Sequence, residues 1–156
     1  MATFLYNICE IHSNQMRVQK EYMIHIDRTE IIDVLTDITQ YASFHPLIIS
    51  AKKIKNSENE NPKFQILERP YYFIPKKVKY FAEVITGENF IEYKISGIPF
   101  VKPKITYQLD QLKQKPSILI FKIEIKGIFI KRLLSNLMVK SQDKLISNVN
   151  ESIAKE

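Results

Sequence analysis

Apolar and polar residues alternate through the middle of the chain, and near both ends the apolar positions recur every three or four residues. Met16, Val18, Tyr22, Ile24 and Ile26 fall on one face of an extended segment, and Arg17, Gln19, Glu21 and His25 on the other, which predicts a strand over 16–26. Asp27 then opens a helix, with Glu30 three residues on as in a capping box. Ile31, Val34, Leu35 and Ile38 give that helix an apolar face. A second short helical piece ends by Pro46, because the residue before a proline disfavours the helical region.

From Leu47 onward the period becomes two. Strands are predicted near 47–55, 63–69, 76–85, 90–96, 103–111 and 117–126, with the plainest alternation in Val78/Tyr80/Ala82/Val84, Ile91/Tyr93/Ile95, Ile105/Tyr107/Leu109 and Leu119/Phe121/Ile123/Ile125. Thr86-Gly87-Glu88-Asn89 reads as a hairpin turn in which glycine tolerates positive φ. The other connectors are also short, so consecutive strands pair antiparallel as a meander. The last segment returns to helical spacing. Leu133, Leu134, Leu137, Met138, Ser141, Leu145, Val149 and Ile153 predict a helix from about 129 to 155, roughly 40 Å long and able to cross a whole sheet. The order is strand, two short helices, six strands, long helix, an α+β arrangement. Residues 1–15 form an N-terminal extension of open structure, an extra strand or a loose leader, and 16–156 form a single domain.

Composition adds few constraints. The 156 residues are one domain's length, and 45% hydrophobic and 26% charged residues argue against disorder. The net charge of +6 comes chiefly from lysine, with Arg17, Arg28, Arg69 and Arg132 the arginines; that balance weighs against sequence-specific nucleic-acid recognition. A single cysteine, Cys9, excludes an internal disulfide and any multi-cysteine metal site. The first fifteen residues lack a basic region and a clean apolar run, and no stretch of 18 apolar residues occurs, so the expected compartment is the cytoplasm.

The segment Ile31–Pro46 resembles the START-like and polyketide cyclase-like superfamily, which also holds birch-pollen-allergen-type proteins. The residues that carry the resemblance are Leu35-Thr36-Asp37, Tyr41, Phe44 and Pro46, with Phe44 standing where tryptophan is common. Together with the element order, the resemblance covers 16–155. It implies the helix-grip fold, β-α-α-β6-α, in which a curved antiparallel sheet surrounds a long C-terminal helix with a cavity between them. It also implies small apolar ligands in that cavity, and leaves function open because the fold hosts binders, carriers and enzymes.

Catalytic signatures are mostly absent. No GxSxG, GxGxxG or phosphate-binding loop occurs, and His12, His25 and His45 have no metal-ligand spacing, so no metal or cofactor is expected. His25 reads outward, and His45 reads as a surface or capping residue before Pro46. Glu83, Glu92 and Glu124 lie opposite the apolar residues of their strands, interleaved with lysines, and read as a solvated charged face. The inward positions offer only Tyr22, Tyr80, Tyr93 and Tyr107 as polar groups, suited to orienting a ligand's polar end. Nucleic-acid binding is disfavoured, since no RNP-type sequence accompanies the lysines and tyrosines of 76–81.

The connectors are asymmetric. One end of a meander would carry the polar 56–61, 86–89 and 113–115; the other would carry 70–75 (PYYFIP), 97–101 (GIPFV) and 127–130 (GIFI), flanked by Lys76, Lys77, Lys102, Lys104, Lys126, Lys131 and Arg132. In the resembling fold that end is the cavity mouth. Tyr72, Phe73, Phe100 and Phe129, with Lys102, Lys131 and Arg132, therefore form a candidate entrance that could dock transiently on an anionic membrane. The alternatives are a closed lid of loops packed on one another, or a dimer contact.

The leading expectation is a non-enzymatic binder or carrier of a small hydrophobic molecule such as a lipid, an isoprenoid or a quinone-like compound. Its candidate lining is Phe44, Tyr80, Tyr93, Ile95, Tyr107, Leu109, Phe121, Leu134 and Met138. A ten-carbon tail buried there would gain roughly 8 kcal/mol before entropy costs. The alternatives are a cyclase- or dehydratase-like enzyme using the same cavity, favoured by a polar group inside it, and a protein-interaction module. Sequence leaves the oligomeric state open.

Overall fold

The computed structural model describes residues 4–12, 15–54, 60–69, 76–109, 117–127 and 131–153, without the side chains of 4–12, 131, 132, 134 and 153. The elements are β1 (Phe4–His12), β2 (Gln15–Ile24), α1 (Arg28–Thr36), α2 (Ile38–Phe44), β3 (Ile48–Ile54), β4 (Lys63–Glu68), β5 (Val78–Thr86), β6 (Phe90–Ser96), β7 (Val101–Gln108), β8 (Ser117–Gly127) and α3 (Lys131–Ile153). The eight strands form one antiparallel sheet in the order β1-β2-β8-β7-β6-β5-β4-β3. The six-strand meander, the two short helices and the long C-terminal helix match the pattern in the sequence. The N-terminal extension resolves as the edge strand β1, paired with β2 from Phe4 opposite Tyr22 to His12 opposite Gln15.

Local chemistry sets the element boundaries. The Glu30 carboxylate accepts from the Asp27 backbone N–H at 3.0 Å, one half of the expected capping box. Asp37 caps α2 by accepting from the Thr39 N–H at 2.9 Å. The Leu35 carbonyl, in the last turn of α1, accepts from the Tyr93 hydroxyl at 2.5 Å, so a terminal carbonyl inside the core is satisfied. Gly87 closes the β5–β6 hairpin through its N–H to the Phe90 carbonyl at 2.9 Å. Its φ is not positive, contrary to expectation. A Cβ there would lie 2.2 Å from the Phe90 ring, so a larger residue would require that partly exposed ring to shift.

One sheet face is the core and the other is charged. Lys104 on the outer face reaches Glu92 at 3.5 Å and Glu124 at 3.8 Å, and Arg17 lies 3.9 Å from Glu124. These half-exposed pairs contribute little to stability. On the inner face, rings pack in an unbroken run. His45 stacks on Tyr41 at 5.4 Å, Tyr41 meets Tyr93 at 5.7 Å, Tyr93 meets Tyr107 at 5.4 Å, Tyr107 meets Phe121 at 5.4 Å and Phe121 meets Tyr22 at 6.2 Å. Such contacts add about 0.5–1.5 kcal/mol per pair beyond burial.

The C-terminal half of α3 closes the core. Leu145, Ile146 and Val149 are fully buried. Asp143 accepts from Lys20 Nζ at 2.6 Å and from the Tyr22 hydroxyl at 2.7 Å. Asn148 donates to the Phe44 carbonyl at 2.7 Å, and Asn150 donates to the Met23 carbonyl at 3.2 Å. The N-terminal half departs from the apolar stripe read in the sequence. Leu133 is 51% exposed and Leu137 half-buried, while Ser135 and Gln142 are each 1% exposed. The inward line is Ser135, Met138, Gln142, Leu145 and Val149, also spaced three and four apart, and its first half carries polar side chains.

Asp143→Ala is expected to destabilise the protein by about 3 kcal/mol, because it takes the carboxylate from a buried ammonium and a buried hydroxyl. Tyr22→Phe, which removes one hydrogen bond, is expected to cost about 1 kcal/mol. Urea denaturation followed by circular dichroism measures both.

Candidate functional site

Antiparallel pairing brings the starts of β2, β3, β5 and β7 and the ends of β4, β6 and β8 to one end of the sheet: Gln15 lies opposite Lys126, Ile48 opposite Glu68, Glu68 opposite Val78, and Val101 opposite Gly127. A cavity of about 50 Å³ lies toward that end, between the sheet, α2 and α3. The sheet contributes Ile48, Ile66, Glu68, Tyr80, Ala82, Tyr93, Ile95, Ile105 and Phe121. Helix α2 and its C-cap contribute Ile38, Tyr41 and His45, and α3 contributes Met138, Ser141 and Gln142.

The cavity is apolar and aromatic with three polar points besides the Ser141 hydroxyl, which donates to the Met138 carbonyl at 2.9 Å. First, Gln142 Oε1 accepts from the Tyr107 hydroxyl at 3.0 Å and the Tyr41 hydroxyl at 3.2 Å. Its amide nitrogen is the one buried side-chain polar atom among the described residues with no hydrogen-bond partner. An unmet donor in such a place costs about 1–3 kcal/mol. Second, the Glu68 carboxylate accepts from the Tyr80 hydroxyl at 2.5 Å. Burial pushes the Glu68 carboxyl above its ordinary range, and the bond from Tyr80 only partly opposes this. Burial and the neighbouring Glu68 charge hold Tyr80 well above the usual phenol value. Third, burial lowers His45 to about 4, so its ring is neutral at pH 7. Its Nδ1 accepts from the Leu47 N–H at 3.4 Å.

Of the lining residues expected from sequence, Tyr80, Tyr93, Ile95, Phe121 and Met138 meet at this cavity. Tyr107 lies behind the lining, packed on Tyr93 and Phe121 and bonded to Gln142. Leu109 is buried at the opposite end of the sheet, where its carbonyl lies 3.5 Å from the Arg28 guanidinium; the inward alternation of β7 continues past the cavity. Phe44 packs against the core beside the cavity and gives its carbonyl to Asn148. The Leu134 side chain lies outside the described residues, as do Tyr72, Phe73, Phe129 and the side chains of Lys131 and Arg132. Phe100 and Lys102 are both exposed at the cavity end.

Sequence reasoning missed Glu68, His45, Tyr41 and Gln142. Glu68 had a signal, since it shares its face with Phe64 and Ile66, both buried two and four residues earlier. His45, expected at the surface or as a cap, does form the C-cap of α2, and its ring turns inward onto Tyr41. The void, at about 50 Å³, is smaller than the space a ten-carbon tail fills. Small-molecule pockets begin at about 300 Å³ and a benzene-sized void needs about 150 Å³.

His45 predicts a pH dependence. Its imidazole is lowered from 6.5 in the unfolded chain to about 4 when folded. Between those values the unfolded state binds the extra proton, so its contribution to stability is complete above pH 6.5 and falls as pH drops toward 4. The raised Glu68 acts in the opposite direction, favouring the fold at low pH. His45→Gln is therefore expected to lose less stability than wild type on going from pH 7 to 4.5, by about 1–3 kcal/mol, in urea titrations at both pH values.

No family model matches the sequence, and no curated protein matches it significantly. Solved structures do match its fold. The di-domain ARO/CYC BexL from the BE-7585A biosynthetic pathway superposes with a TM-score of 0.74 at 6% identity over 90% of this chain, which spans 50% of that protein's length. The Zhui aromatase/cyclase from Streptomyces sp. R1128 gives a TM-score of 0.74 at 10% identity, over 88% of this chain and 93% of that one. A START superfamily protein from Mycobacterium smegmatis gives 0.69 at 11% identity, over 89% and 97%. At these identities the likeness is one of fold, and it coincides with the sheet order and helix placement described above. The chain has the START-like helix-grip fold, a curved antiparallel sheet around a long C-terminal helix.

Proposed function

We propose that the protein binds a compact, largely apolar molecule carrying one hydrogen-bond acceptor, such as a ketone or quinone-type carbonyl, between the sheet and α3. The observation that carries this reading is the Gln142 amide: a buried donor with an unmet N–H on the wall of a cavity otherwise lined by rings and aliphatic side chains. A carbonyl oxygen from a guest would satisfy it, and the rings would cover the guest's apolar body. Admission of a ring needs more room than a cavity of about 50 Å³ gives. Met138, unbranched and half-buried, is the adaptable wall. The helix around it is the half of α3 that lacks the Asp143, Asn148 and Asn150 anchors.

The test compares acetophenone with α-methylstyrene, which has nearly the same shape and no acceptor. Acetophenone is expected to bind about tenfold more tightly by NMR titration, and Gln142→Met is expected to abolish that preference. Failure of both probes to bind at millimolar concentration, with no co-purified molecule in native mass spectrometry, would overturn the binding reading.

A cyclase-like enzyme is the second reading, and the Glu68–Tyr80 pair favours it. A carboxyl with a raised pKa beside a phenol is placed to exchange protons with a bound ketone. Exchange of the acetophenone methyl protons in D2O, faster with wild type than with Glu68→Gln while binding stays within about twofold, would support catalysis. Equal exchange in both leaves the binding reading alone.

A further inference from the structure

Three observations concern the outer surface of the cavity end. The first is backbone strain. Phe100, in the β6–β7 connection, holds φ at +64°, a left-handed conformation that bulky side chains rarely adopt, and its side chain is 82% exposed. The phenyl ring gains no burial in return within this chain. The second is the inverted face of α3. Its first turns bury Ser135 and leave Leu133 half in solvent. The third is charge. Segments 69–82, 93–105 and 125–142 carry eleven lysines and arginines and no aspartate or glutamate. Of these, Lys76, Lys77, Lys102 and Lys126 are exposed at the cavity end, whereas 83–92, leading to the opposite end, holds Glu83, Glu88 and Glu92 and no cation.

We infer that this end of the protein docks on an anionic lipid surface, with the Phe100 ring inserted among the headgroups and the lysines around it facing lipid phosphate and carboxylate. An apolar tip with exposed lysines beside it is complementary to a negatively charged bilayer and poorly suited to a neutral one; the acids near this end, Glu68 and Glu124, are bonded to Tyr80 or paired with Lys104 and Arg17. Lysine serves here as a diffuse point charge, which suits a fluid surface better than bidentate recognition of one phosphate. Docking would set the cavity end and the first half of α3 against the membrane. The inference stands apart from the identity of any cavity guest.

Co-sedimentation with vesicles tests it, using phosphatidylcholine alone and phosphatidylcholine with about one third phosphatidylserine. Wild type is expected to sediment only with the anionic vesicles, and to be released at about 0.5 M salt. Phe100→Gly is expected to weaken that partition about tenfold. Its melting temperature should be unchanged or raised, because glycine takes the +64° angle without strain, so a folding defect cannot explain the loss. Lys102→Glu should weaken partition while leaving the fold intact. Absence of sedimentation with anionic vesicles at low salt overturns the inference, as does equal partition by Phe100→Gly. A stable homodimer in light scattering that Phe100→Gly dissociates also overturns it, assigning the face to self-association.

Discussion

A curved sheet has a concave face that a single helix cannot fill, and every feature of this molecule follows from how that space is occupied. Here aromatic rings take up most of it. The run from His45 through Tyr41, Tyr93, Tyr107 and Phe121 to Tyr22 crosses the interior from α2 to the strand beside the sheet edge. Rings are large and rigid, so they bury much surface at small entropic cost. Each tyrosine also brings a hydroxyl that must find a partner. That demand recruits the Leu35 carbonyl, Glu68, Asp143 and Gln142 into the interior.

The polar points of the cavity are therefore linked to its packing. Tyr80 holds Glu68, and Tyr41 with Tyr107 holds the oxygen of Gln142, leaving the buried nitrogen of the same amide without a partner. A buried amide has more bonding capacity than two phenols can meet.

Helix α3 divides into two halves with different tasks. Its second half is fixed to β2 and α2 by side-chain hydrogen bonds and by three fully buried aliphatic residues. Its first half turns serine and glutamine inward and leucine outward, lies over the cavity, and leads to the end where Phe100 stands exposed.

The sequence by itself determined the architecture. Period-two alternation over 78–84, 91–95, 105–109 and 119–125 placed the strands and their inward faces, because one-sided burial forces every second residue to be apolar. Asp27 with Glu30 and the proline at 46 bounded the helices, and short connectors left a meander as the simple pairing. Only the tertiary structure decided the site. Glu68 lies at a strand end, Gln142 on a helix and His45 in a connector; sequence spacing cannot bring them to one cavity. Nor can periodicity rank a stripe of leucines against a stripe holding serine and glutamine, since both recur every three to four residues. Which stripe turns inward depends on what the facing wall offers, and here that wall is made of tyrosines that need polar partners.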